Sequence, residues 1–428
     1  MNKFIPFKLP PNLELGCATA ATQIEGGDKN NSWYEWASKE GSIKGGGSPV
    51  RANNHWELYE QDIKLMKNMG MQHYRMGIEW SRIEPEKGIF DEKAMEHYVN
   101  EIKLLQSYNI HPLVTLHHFT NPLWFEKMGA FETEACVPIF KNFVTYVTEH
   151  LKGICNDYVT INEPNVYAVN GYIFGSWTPG EKSFFTAMRV MKNLMLCHIT
   201  AYKEIHRIYG SEKVMVGFAN HLRVFEAYSN NPFYKLEAKI MGYLFQDAIT
   251  GAMSTGKLSF PLGSGAPLGT GKFYDYIGIN YYTRSSIKHF GEHALKDRET
   301  NNLGWDIYPE GLNILCREQY EKYKAPIWIT ENGTCDKDDS FRAEYIYNHI
   351  KQIADSGLPV ERYYHWTFMD NFEWAEGETA PFGLVKCDFE TQERTIRKSG
   401  EFYMEMIKNK QVSSDMITRY LETEKGVH

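Results

Sequence analysis

Two patterns of apolar positions take turns along this chain. Short runs rich in β-branched and aromatic residues occur at 13–20, 73–78, 112–117, 158–162, 214–219, 276–281, 327–330 and 362–368. Each reads as a buried strand. Longer amphipathic stretches with helical spacing lie between them. Tyr59, Ile63 and Met66 share one face, and Gly70 supplies a stop. Asp91 is placed to cap a helix whose Ala94, Tyr98, Ile102 and Leu105 align. Ile346, Ile350 and Ile353 align in the same way before Gly357. Strand followed by helix, eight times over, predicts a parallel sheet, and eight strands close into a cylinder. The expected fold class is therefore α/β, a single (β/α)8 TIM barrel spanning 1–428.

In such a barrel the chemistry sits at the C-terminal ends of the strands. The polar residues ending the runs are Arg75, His118, Asn162 with Glu163, Asn280 with Tyr282, Glu331 with Asn332, and Trp366. Glutamate follows a β-rich run at two of the eight ends. A buried glutamate is costly unless it has a partner or a task. One alone reads equally well as half of a salt bridge closing the barrel. Two, each beside an amide, favour a carboxylate pair about one bond, the arrangement glycoside hydrolysis uses.

Composition narrows the function. Lys and Arg total 46 against 54 Asp and Glu, a formal net charge of -8. That balance argues against a nucleic-acid partner. No run of 18 apolar residues predicts a membrane span, and prolines with Lys8 break the N-terminal stretch where a secretory apolar core would stand. The seven cysteines are scattered without a CxxC pair. They read as reduced, buried thiols of a cytoplasmic protein, with neither a metal site nor a disulfide framework. Aromatic residues make up 14%, an excess that suits a large core and also the stacking of sugar rings. The segment 251–257 falls short of a phosphate-binding loop because Leu258 stands where Ser or Thr should bind magnesium. Asn332-Gly-Thr334 is a formal glycosylation sequon by coincidence.

The motifs together resemble the family 1 glycoside hydrolases, the β-glucosidase and β-galactosidase family, across essentially the whole chain. They occur in family order: GCATAATQIEG at 16–26, YRMGIEWSRIEP at 74–85, THHF within 115–119 with one intervening Leu, TINEP at 160–164, ITENG at 329–333 and WTFMDNFEW at 366–374. The resemblance implies a retaining β-glycosidase that needs no cofactor and acts on a small β-glycoside or oligosaccharide. It makes Glu331 the nucleophile and Glu163 the acid/base. Arg75 and Tyr282 would hold Glu331 ionised, and Asn162 would bind the sugar 2-hydroxyl. Gln23, His118, Glu373 and Trp374 would take the remaining hydroxyls, Trp366 would be the stacking floor, and Phe382 would join the substrate-binding set. The register of the family's motifs selects His118 over His117 and Tyr282 over Tyr281.

Three departures from the family bear on substrate. Phe119 stands where an indole is frequent. The stretch 224–272, whose counterparts line the entrance, is short. Glu378 and Pro381 replace a tyrosine and an arginine, and no Lys or Arg occurs from Trp374 to Val385. A phosphorylated sugar would need cationic donors there, so an unphosphorylated glycone is expected, glucose foremost, with galactose or fucose as alternatives. The rival readings are a transglycosidase on the same site and a sugar-binding barrel without catalysis. Oligomeric state is not read from these patterns.

Overall fold

In a computed structural model the described residues are 3–295 and 298–422. Residues 1–2, 296–297 and 423–428 of the expected 1–428 span lie outside the described residues. Eight parallel strands form a closed barrel: β1 (Glu14–Ala18), β2 (His73–Gly77), β3 (His111–Thr115), β4 (Asp157–Asn162), β5 (Met215–His221), β6 (Ile277–Tyr281), β7 (Ile327–Asn332) and β8 (Val360–Trp366). They neighbour one another in chain order, and β8 closes onto β1. The principal helices between them are α1 (His55–Asn68), α2 (Glu92–Ser107), α3 (Cys136–Leu151), α4 (Phe184–Tyr209), α5 (Pro232–Gly242), α6 (Ala248–Thr255), α7 (Glu310–Tyr323), α8 (Arg342–Ser356) and α9 (Lys398–Asn409). No helix among the described residues is long and apolar enough to cross a membrane.

The local signals act as expected. Asp91 accepts from the Lys93 and Ala94 amides at the start of α2, and Ala94, Tyr98, Ile102 and Leu105 are buried on one face. The three isoleucines of α8 are buried, and Gly357 adopts positive φ just past its end. Strand ends differ from the reading in an instructive way. β5 continues past Ala219 through Asn220 to His221, and β7 past Thr330 through Glu331 to Asn332. The apolar pattern stops before the ladder does, because these last residues join a polar, hydrogen-bonded layer at the C-terminal end of the barrel. β8 runs Val360–Trp366, ending two residues before the expected Phe368.

The N-terminal end of the barrel is plugged. Tyr276 stacks on Trp328 at 3.7 Å, and Arg362 lies over the other side of that indole while pairing with Asp157 at 2.6 Å. At the opposite end, Val224–Ala227, Arg284–Lys288 and Gly291–Glu292 form a small sheet continuing from β5 and β6. The chemistry gathers on that side.

Candidate active site

Glu163 and Glu331 stand at the ends of β4 and β7, and both strands carry irregular pairing there. β4 shifts register against β5 between Val159 and Asn162, and β7 shifts against β6 between Ile329 and Glu331. Such irregularities re-aim side chains. Glu163 also has a φ of 42°, in the left-handed region, at a cost of about 1–2 kcal/mol. Pro164 follows at the first position of the helix Pro164–Val169 and disfavours a helical Glu163. The Glu163 amide donates to Ala219 O at 2.7 Å, which secures the turn. Gly333 lets β7 meet β8 closely: a Cβ there would lie 1.7 Å from Trp366 O.

A connected set of hydrogen bonds joins the two carboxyls. Arg75, fully buried in β2, donates to Glu331 Oε1 at 2.5 Å and to Asn162 Oδ1 at 2.6 Å. It is steadied by Thr115 Oγ1 at 3.0 Å. Tyr282 donates to the other Glu331 oxygen at 2.5 Å. Asn280 donates to Asn162 Oδ1 at 3.0 Å and to Glu163 Oε1 at 2.8 Å, and Thr330 donates to Asn280 Oδ1 at 2.6 Å. Both glutamates line one cavity of about 740 Å³.

The network also assigns protons. Asn162 Oδ1 accepts twice, so its Nδ2 is the group 3.0 Å from His118 Nε2. His118 Nε2 therefore accepts, and its Nδ1–H has no protein partner. Burial pushes His118 well below the usual imidazole range, so it is neutral. Arg223 Nε donates to His221 Nε2 at 2.9 Å, which leaves His221 Nδ1 as donor to Glu163 Oε1 at 3.3 Å. Burial lowers the His221 pKa, against the pull of Glu163.

Charge is balanced differently for each acid. Burial pushes Glu331 up to about 7, with Glu163 adding to the rise. Arg75 and Tyr282 pull it down, but burial outweighs them, so the two do not bring Glu331 to the ordinary carboxylate range that the sequence reading expected them to hold. Burial raises Glu373 further, to about 8, with the Glu331 charge behind it. Gln23 donates to Glu373 Oε2 at 3.3 Å, and its own Oε1 is buried without a partner.

Of the eleven residues expected at the site, Glu163, Glu331, Tyr282, His118, Trp366, Glu373, Trp374 and Phe382 line the cavity. Arg75, Asn162 and Gln23 stand behind the lining and act on it through hydrogen bonds. His117 turns away to Asn121, and Tyr281 to Tyr308 O. Phe119 packs between Trp177 and Trp374. The sequence reading missed His221 and Arg223 and left Asn280 without a role. Ending β5 at the edge of its apolar run hid His221, which a rule applied to the polar strand end would have found. Among the described residues no group of three or more His, Cys, Asp or Glu is arranged to hold a metal ion.

Comparison with known proteins places the chain in a family. The model of glycosyl hydrolase family 1 matches residues 6–260 and 270–412. Beta-glucosidase A of Acetivibrio thermocellus is 30% identical over 94% of this chain and 98% of its own length. A solved beta-glycosidase from Pyrococcus horikoshii superposes with a TM-score of 0.88 at 34% identity, covering 99% of this chain and 100% of that one. A beta-glucosidase from Thermotoga maritima in complex with glucoimidazole gives a TM-score of 0.87 at 26% identity, over 94% and 99%. With two glutamates at barrel strand ends inside a matching family frame, the chain belongs to glycosyl hydrolase family 1 and is a β-glucosidase-like glycoside hydrolase.

Proposed function

We propose that the enzyme removes the terminal, unphosphorylated β-linked sugar, glucose foremost, by a retaining double displacement on Glu331 and Glu163. In the first step a Glu331 oxygen bonds to the anomeric carbon as the bond to the leaving oxygen breaks. That oxygen takes the proton of Glu163. In the second, a water oxygen displaces Glu331 from the same carbon, and the water proton passes to Glu163. The observation carrying this reading is the single hydrogen-bonded set in which Arg75 touches Glu331 directly and Glu163 through Asn162 and Asn280. Retention calls for carboxyl groups ~5–5.5 Å apart.

Glu373, kept largely protonated by burial, both donates to and accepts from sugar hydroxyls, and the free His118 Nδ1–H is a further donor. The unphosphorylated glycone rests on the lack of Lys and Arg from Trp374 to Val385. Lys44, one of the cations that approach from other loops, is already paired with Glu376 at 2.8 Å. Seven free, buried cysteines favour a reducing, cytoplasmic setting.

A panel of nitrophenyl β-glycosides tests the glycone, and the anomer of the first sugar released tests the stereochemistry. Release of the β-anomer from a β-glycoside supports the mechanism; release of the α-anomer contradicts it. With an added alcohol acceptor, near-exclusive formation of the alkyl glycoside would instead mark a transglycosidase.

A further inference from the structure

A line of side chains runs in from the loops and ends on only one of the two reacting glutamates. Glu163 Oε1 accepts twice, from Asn280 Nδ2 at 2.8 Å and from His221 Nδ1 at 3.3 Å. Behind His221 stands Arg223, just past the end of β5. Its Nε donates to His221 Nε2 at 2.9 Å, and its Nη1 reaches Ser285 Oγ and Glu292 Oε2, both at 3.3 Å. Gln246 holds the Arg223 backbone in place, accepting from its amide at 2.8 Å and donating to its carbonyl at 3.1 Å. The His221 ring is buried, stacks on Tyr282 with centroids 5.7 Å apart, and meets Phe245 edge-on at 6.0 Å.

This line fixes where hydrogens can be. Arginine has no acceptor and stays charged, so the His221 nitrogen facing Arg223 is the unprotonated one. The ring hydrogen is on Nδ1, against Glu163. With its one basic nitrogen taken by Arg223, His221 cannot receive the Glu163 proton and is no relay. An oxygen that accepts two N–H bonds is also a poor place for a hydrogen, so the acid form of Glu163 carries its proton on Oε2. When that proton leaves, the remaining charge is met at Oε1 by two N–H groups, one of them polarised by the Arg223 charge behind the ring. The opposite tautomer would present a lone pair to Glu163 and draw the hydrogen onto Oε1.

We propose that His221 is a positioning residue for proton donation: locked in one tautomer by Arg223, it occupies Glu163 Oε1 together with Asn280, so that Oε2 carries the hydrogen passed to the leaving oxygen, and it stabilises the carboxylate left behind. This rests on the acid/base role proposed for Glu163 and adds to it the groups that decide which oxygen acts.

The cost of losing such a residue depends on how much proton the leaving group needs, whereas lost packing slows every substrate alike. The test is kcat/KM across aryl β-glucosides, from dinitrophenyl, whose phenolate leaves unaided, to phenyl, whose oxygen needs the hydrogen. His221→Phe keeps the ring packing and deletes the N–H. It should lower the phenyl value by about tenfold, the low end for a hydrogen bond to a charged group, and the dinitrophenyl value by less than about threefold. His221→Asn, whose Nδ2 falls near the histidine Nδ1, should restore most of the loss. Arg223→Met frees the other tautomer and should act in the same direction to a smaller extent. Phe174→Ser and Phe290→Ser, at rim positions of the same cavity that are 63% and 56% exposed, are controls whose effect should be shared by the whole series.

Glu163→Gln on the same series separates two failures. If it slows every member alike, the acid/base reading itself falls. If it is selective for phenyl while His221→Phe slows all members alike or none, or His221→Asn does no better than His221→Phe, the positioning proposal is overturned and the acid/base reading stands. A His221→Phe protein that does not fold leaves Arg223→Met to decide, and an unchanged dependence on the leaving group there overturns the proposal.

Discussion

The floor and the mouth of one cavity obey opposite rules. On the floor nearly every polar atom has a named partner, and the partners come from β2, β4, β6 and β7. Buried polar groups are stable when satisfied, so the shared hydrogen bonds hold these side chains in place. The mouth is apolar, built from loops and helix flanks, and partly open to water. It selects by area removed from water, which is graded and tolerant. The floor should therefore respond to substitution steeply and with pH, and the mouth gently and without it.

The largest effect expected is at the reacting carboxyls. Glu331→Gln should lose roughly 10⁴-fold or more in kcat on a nitrophenyl glycoside. Glu163→Gln should lose about 10²–10⁴-fold in kcat/KM where the leaving group needs a proton and little in kcat/KM where it does not, while kcat falls in both cases because the second step lacks its base. Similar small losses for both would dissolve the distinction between floor and mouth. Next is Tyr282→Phe, which removes a hydrogen bond to a charged group, an effect of about 1.5–3 kcal/mol or roughly 10–100-fold. Because Tyr282 pulls Glu331 down, its loss should move the acid limb of the kcat/KM profile to higher pH. Tyr281→Phe, one residue along and facing Tyr308, should leave that limb in place.

Stability gives a smaller and separate reading. Glu373 is raised to about 8 and Glu79 and Glu126 to about 7, all by burial. The folded state binds these protons more tightly than the unfolded chain does. Their contribution is thus complete below the ordinary value of 4.5 and is lost as pH rises through about 7 to about 8. Thermal melts should show Tm falling across that window, and Glu373→Gln should flatten its upper part. A Tm that climbs with pH there would mean these acids are ionised in the folded chain. Substitutions at Phe174 and Phe290 should leave the slope untouched.

The same contrast decides what was legible in the sequence. Strand–helix alternation and the polar residues at strand ends located the eight staves and both glutamates, because period-two geometry is local; that geometry allowed only one of Tyr281 and Tyr282 to face inward, and the family resemblance selected Tyr282. His221 and Arg223 were not legible. Their roles depend on contacts with Glu163 and Glu292, 58 and 69 residues away, and on a strand that outlasts its apolar run. That Gln23, Asn162 and Arg75 stand behind the lining was equally hidden, since sequence orders residues along a strand but not in depth. The apolar mouth left no motif: its members are spread from Val166 to Phe382 and look like ordinary core until the barrel closes.

The central claim is that Glu331 takes the sugar covalently. Incubation with an activated 2-deoxy-2-fluoro β-glycoside, followed by mass analysis of the intact chain and its peptides, tests it directly. The account predicts a gain of one fluorosugar carried by Glu331, absent from the Glu331→Gln protein. A fluorosugar on another residue, or turnover with inversion and no adduct, would contradict it.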